Sequence, residues 1–216
     1  LPMPWIMEQT YAVAKWCICR MRVNFVEEAE TLFEDLREIG PTFILFGPRV
    51  WEQMAADIRS KIMDASLIKR SIFNFSMKVM SLKSNIITKY FCEFLINKWL
   101  RDQLGLAFVK SAATGGAALG PDTFKFFVSI GIPLRQLYGQ TEQIGAYTIH
   151  RKGDIDYDSV GFAFDTVKIE IDKPDNEGIG EIKVKNENCM QGYLNVDETF
   201  LKAVSYTHLT LPTKLA

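Results

Sequence analysis

Histidine is nearly missing from this chain: there are two in 216 residues, His150 and His208. The four cysteines, Cys17, Cys19, Cys92 and Cys189, contain no C-x-x-C pair. So few grouped nitrogen and sulfur ligands exclude a zinc centre, and the spacing gives no disulfide framework. Cys17 and Cys19 stand two apart on a predicted helix and point in different directions, so buried free thiols are expected. An excess of one charge is missing as well. Twenty-five basic against twenty-six acidic residues leave a net charge of −1, which gives no electrostatic reason to expect a nucleic-acid partner. No apolar run approaches the ~18 residues of a spanning helix, and the start lacks the basic-then-apolar layout of a signal peptide. The reading is a soluble, cytoplasmic protein, with association to a membrane left open. What is present is apolar content of 48%, enough for a substantial core in one or two domains.

The richest stretch is Lys110–Glu142, KSAATGGAALGPDTFKFFVSIGIPLRQLYGQTE. Leu106–Val109 reads as a strand, followed by a loop holding Gly115 and Gly116. Gly120-Pro121 then opens a helix in which Phe124, Phe127 and Val128 share a face, with proline where its missing N–H costs nothing. Gly131 suits the helix end and Pro133 forces a turn into a second strand, Leu134–Leu137. This is a βαβ unit, whose loops Thr114–Gly120 and Tyr138–Glu142 leave the carboxyl ends of parallel strands, where ligands bind. Gly115, Gly116 and Ala117 would let a flat base lie on the backbone, and Tyr138 offers it an aromatic face. Thr141 offers a hydroxyl to a phosphate, and Glu142 a carboxylate for Mg²⁺. The residues alone allow another reading: GGAALG as a loose turn, with Thr141-Glu142 merely starting a helix as cap and first-turn acid.

RQLYGQTE resembles the signature of the adenylate-forming enzymes, and GGAALG upstream resembles their adenine-binding loop. LPMPWIMEQ, DLREIGPTFILFGPRVWEQM and GEIKVKNENCMQGYLNVDETF resemble, in order, segments of the long-chain fatty acyl-CoA synthetases, so the resemblance spans about residues 1–203. It implies part of the large N-terminal domain of such an enzyme. The nucleotide would be held by Gly115, Gly116, Ala117, Gln136, Tyr138, Gly139 and Thr141, with Thr141 and Glu142 serving catalysis and Glu142 the metal. Trp5 and Glu8 would lie near the carboxylate substrate, although many relatives have histidine in place of Trp5, which otherwise reads as a core aromatic. The implied reaction joins a fatty acid to coenzyme A through an acyl-adenylate, using ATP and Mg²⁺. The implied partners are these small molecules, with peripheral membrane contact left open for the full-length enzyme. Alternatives are a ligase for another carboxylic acid and a non-catalytic nucleotide-binding domain. The family's phosphate loop, ribose-binding aspartate and lysine-bearing C-terminal domain have no counterpart in these residues, so a fragment inactive alone is expected.

The remaining pattern is α/β with a parallel sheet, followed by a small antiparallel β part. Helices are expected from Pro4 to about Met21, over Thr31–Ile39 and after Pro48, with strands at Val23–Phe25 and Phe43–Phe46. Residues 67–104 read as further helices carrying Phe91, Phe94, Leu95 and Trp99 at helical spacing, a stripe expected in the core more than on a membrane. Thr166–Ile171 and Glu181–Lys185 alternate around the turn PDNEGIG and read as a hairpin. His150 is expected in a packing or surface role. The division is 1–150 for the α/β part, 151–203 for the β-rich part, and 204–216 for a tail. That tail, VSYTHLTLPTKLA, resembles translated sequencing adapter and is expected to carry no function.

Overall fold

A computed structural model describes residues 5–81, 85–176, 178–190 and 194–195; the tail at 204–216 lies outside them. Two compact units divide the chain: Arg22–Gln136, and the described residues up to Met21 together with those from Leu137 onward. The sequence pattern changes near 150, but the compact units part at 136/137, inside a strand.

In the unit Arg22–Gln136, β1 (Phe43–Phe46) lies parallel to β2 (Ser111–Thr114), which lies parallel to β3 (Leu134–Gln140). β2 reads Ser-Ala-Ala-Thr, four small residues with weak strand preference, and it is held by ladders on both sides. The expected strand at 106–109 is therefore displaced: these residues turn, and the pairing begins at Ser111. Val23–Phe25 forms no strand. α3 (Leu32–Ile39), α4 (Pro48–Met63) and α8 (Pro121–Ser129) match the periodicity of their sequences. Trp51 of α4 is wholly buried, edge-on to Phe46 at 5.8 Å and to Phe127 of α8 at 4.8 Å. Such aromatic pairs add roughly 0.5–1.5 kcal/mol each beyond their buried area, so this cluster fixes both helices to the sheet.

Between β1 and β2 the chain runs through α5 (Leu67–Ser81), α6 (Ile86–Cys92), a π-helical segment Glu93–Asn97 and α7 (Lys98–Gln103). Asn85 caps α6 by accepting a hydrogen bond from the Ile87 N–H at 3.2 Å. These helices bury two polar residues, Ser76 and Asn97, beside Val79, Cys92 and Leu100. Ser76 donates to Asn97 Oδ1 at 3.5 Å, and both residues are fully buried. The aromatic stripe expected in the core is outside it, since Phe91, Phe94 and Trp99 are all exposed. Asn97 and Arg101 instead grip the end of α8, donating to the carbonyls of Ser129 (3.4 Å) and Ile130 (2.7 Å). Glu93 pairs with Arg101 and accepts from Asn97, so the grip is held from behind. Gly131, at φ +86°, ends the helix where any Cβ would run into the Arg101 guanidinium.

The other unit starts with α1 (Ile6–Glu8), a π-helical segment Gln9–Ala14 and α2 (Lys15–Cys19). From Leu137 onward β3 pairs antiparallel with β4 (Gly145–Ile149), and β4 with β5 (Phe162–Ala163). The five-stranded sheet thus has the order β1-β2-β3-β4-β5, parallel at one side and antiparallel at the other. β6 (Lys168–Asp172) and β7 (Glu181–Lys185) form the expected antiparallel hairpin as a separate sheet. Ile182 of this hairpin packs with Tyr138, Tyr147 and Val160 in a second core. The fold is α/β with a small antiparallel β part. All four cysteines are free, but only Cys92 is buried, a correction to the thiol expectation. Among the described residues no helix is long and apolar enough to cross a membrane.

Candidate nucleotide site

The glycine loop leaves the carboxyl end of β2. Thr114, the last residue of β2, stands in register with Gln136 of β3, so the loop begins beside β3. Gly116 takes φ +87°, a conformation that favours glycine, which lets the loop turn directly out of the strand. Gln136 is buried and donates from Nε2 to the Ala117 carbonyl at 3.1 Å, which tethers the loop to the sheet. Gly115, Gly116, Ala117 and Gln136 are therefore one cluster. The adjacent Thr114 hydroxyl is fully buried and has no hydrogen-bond partner.

The second half of the motif lies on β3 itself and on a single turn after it. The expected loop Tyr138–Glu142 is strand as far as Gln140, with a register shift between Tyr138 and Gly139. Gly139 is obligatory there, because a Cβ would collide with the Gly145 carbonyl of β4. Tyr138 is only 9% exposed and meets Tyr147 edge-on at 5.4 Å. Burial first, and the neighbouring Tyr138 second, push the Tyr147 phenol above its ordinary pKa. It stays protonated, and Gln140 Nε2 reaches its oxygen at 3.3 Å.

Thr141–Gln143 form a 3₁₀ turn, with Thr141 exposed, Glu142 partly buried and Gln143 buried. Two contacts from a distant stretch brace this turn: Met190 N–H donates to the Glu142 carbonyl at 2.8 Å, and Gln143 Nε2 to Cys189 Sγ at 3.2 Å. Sequence reasoning missed this bracing pair, whose signal is only the match of ENCMQGY to a family segment. On the same unit, Ile6 and Met7 of α1 cover Gly145, two residues after the turn. Trp5 precedes α1, half-exposed, and accepts from the Glu8 N–H at 3.0 Å; Glu8 is partly buried. Trp5 is thus no core aromatic.

Among the described residues no three histidine, cysteine or carboxylate side chains cluster as a metal cage. Glu142 is a single, partly buried carboxylate on the braced turn. That donor set fits Mg²⁺, which keeps several waters and is usually held by one or two carboxylates together with substrate phosphates. His150 is 1% exposed, its Nε2–H donating to the Ser159 carbonyl at 2.9 Å. Burial depresses its pKa despite opposing contributions from Ser159, Asp156 and Asp154. This is a packing histidine.

The family model of the AMP-binding enzyme matches residues 1–194. The chain belongs to the AMP-binding enzyme family. It is 31% identical over 183 residues to a long-chain-fatty-acid–CoA ligase of Gallus gallus, covering 81% of this chain and 24% of that protein. A ligase of the same description from Xenopus laevis is 32% identical over 173 residues, covering 76% and 23%. The chain thus spans about a quarter of the curated relatives it matches. Among solved structures, the adenylation domain of a Mycobacterium chelonae carboxylate reductase superposes with a TM-score of 0.56 at 20% identity, covering 84% of this chain and 26% of that one. O-succinylbenzoate coenzyme A synthetase of Bacillus subtilis gives 0.56 at 18%, covering 94% and 35%. These likenesses show the adenylate-forming fold.

Proposed function

We propose that this chain is the central part of an ATP-dependent long-chain fatty acid–CoA ligase, inactive without the rest of the enzyme. The carrying observation is the tether between the two family motifs: Gln136 of RQLYGQTE holds the Ala117 carbonyl of GGAALG. A loop so fixed needs no reordering when a nucleotide arrives. Gly115, Gly116, Ala117 and Gln136 would take the base. Tyr138 would bound it, Gly139 would permit the strand to fold back, and Thr141 would bind the α-phosphate. Glu142 would hold Mg²⁺, which supplies positive charge to phosphates as charge gathers on them. The acid needs no general base, since a fatty acid is already a carboxylate at neutral pH. Its oxygen would attack the α-phosphate in line, pyrophosphate would leave, and the thiol of coenzyme A would then displace AMP. Trp5, just before the element that covers Gly145, and Glu8 at its end would border the acyl carboxylate. The long chain of the acid follows the description of the curated relatives as long-chain-fatty-acid–CoA ligases.

ATP–pyrophosphate exchange by the full-length enzyme, run across acids of graded length, tests this reading. Exchange that rises toward long-chain acids supports it. Exchange confined to short or aromatic acids replaces the substrate, and none with any carboxylate overturns the ligase.

A further inference from the structure

The turn that bears Thr141 and Glu142 is anchored through a sulfur. Gln143, its last residue, is 5% exposed, and its Nε2 donates to Cys189 Sγ at 3.2 Å across forty-six residues of sequence. Oε1 of the same amide is buried without a hydrogen-bond partner. A buried amide oxygen left without a donor is costly, so it marks a place where a donor is wanting. Cys189 itself is free and exposed, so the sulfur that anchors Gln143 is open to solvent. The next residue after Gln143 adds a second feature. Ile144 holds φ +57°, a left-handed conformation that a β-branched residue rarely adopts. Such strain persists only while surrounding contacts hold it. Here they include the Ile144 N–H to the Thr141 carbonyl at 3.1 Å, the Met190 N–H to the Glu142 carbonyl at 2.8 Å, and the Gln143–Cys189 contact. Cys189 is set in turn by its own N–H, which donates to the Asn186 carbonyl at 3.4 Å.

We infer that Cys189 is a thiol-modification site, which takes the disulfide of a small amide-bearing thiol and thereby loosens the Thr141–Gln143 turn. The Cys189 thiolate attacks one sulfur of that disulfide: a new S–S bond forms to Cys189, the old one breaks, and the released thiolate takes up the proton lost by Cys189. Cys189 is oxidised, half of the disulfide is reduced, and a reducing thiol reverses the step. Exposure gives the access that this exchange requires. Once Sγ is substituted, the Gln143 amide loses its place against the free sulfur, and the incoming thiol brings amide N–H donors for the Oε1 that the chain leaves without one. Ile144 then relaxes with Gln143. Cys17 and Cys19 of α2 are also free and exposed, which makes them controls for reactivity away from the brace. That the turn serves adenylation rests on the ligase reading; that Cys189 braces the turn does not.

The full-length enzyme is incubated with glutathione disulfide and separately with coenzyme A disulfide, both of which carry amides, and the adduct is located by peptide mapping. Cys189 should carry it with at least one of the two, and the one that reacts names the thiol. Pyrophosphate exchange should then fall about fivefold or more, the factor expected for losing one such contact, and dithiothreitol should restore it. Cys189→Ser keeps an acceptor for Gln143, so its exchange should start near the wild-type rate and lose nothing on treatment, whereas Cys17→Ser should lose as much as the wild type. Amide hydrogen exchange reads the brace without activity: the Ile144 and Met190 N–H groups should exchange faster in the modified protein. The absence of an adduct at Cys189 overturns the inference, as does an adduct that leaves both amides protected or an active enzyme unslowed. Equal loss in treated Cys189→Ser overturns it in favour of another thiol. An enzyme with no pyrophosphate exchange before treatment fails the ligase reading instead, and faster exchange of the two amides on modification would still uphold the brace.

Discussion

Single residues of this site are held by their backbones more than by one another. Glu142 sits on a turn whose carbonyl is gripped by the Met190 N–H, so Glu142→Gln should leave the fold unchanged. In the full-length enzyme the amide would bind Mg²⁺ poorly, and pyrophosphate exchange should fall about a hundredfold, roughly 3 kcal/mol of electrostatic stabilisation. Wild-type exchange in that variant would remove Glu142 from the reaction. His150 gives a pH test. Its folded pKa lies below 6.5, so the unfolded chain binds the extra proton first as pH falls. Stability from this group is complete above about pH 6.5 and declines below it until the folded form also titrates. Melting temperature should therefore drop from pH 7 toward pH 5, and the part due to this group should vanish in His150→Gln. The sequence announces Gly115, Gly116 and Ala117 by their small side chains, and Gln136 only through the resemblance of RQLYGQTE to the family signature. It could not announce that Gln136 serves the loop itself, since that bond joins residues nineteen apart.

At the scale of elements, strongly periodic segments were legible and weakly apolar ones were not. Phe43–Phe46 and α4 lie where their patterns put them, as four apolar residues and a long amphipathic repeat admit few alternatives. β2 was misplaced onto Leu106–Val109 because hydrophobicity points there, whereas Ala112 and Ala113 become strand only by pairing with two neighbours. β4 escaped notice for a related reason: Gly145–Ile149 is short, and its partner is the end of β3, which reads as loop. The grip on α8 was invisible, because it joins Asn97 and Arg101 to carbonyls about thirty residues later. Arg101→Ala should free the Ile130 carbonyl and strand Glu93. Loss of a hydrogen bond from a charged donor costs about 1.5–3 kcal/mol, to be seen as a lowered denaturation midpoint. Arg101→Lys should recover only part of it, lacking the fork that reaches both partners. An unchanged midpoint in the alanine variant would mean that α8 is held by its phenylalanines alone.

For the molecule as a whole, near-neutral net charge conceals a sharp segregation. The stretch from Leu67 to Arg101 carries a surplus of six positive charges, and the remainder of the chain a surplus of seven negative ones. An even count of acids and bases therefore tells little about what approaches the protein, because a partner meets a local field rather than the sum. A negatively charged surface attracts the stretch from Leu67 to Arg101 before contact, whatever the net charge of the chain. That attraction fades over about 10 Å at moderate salt.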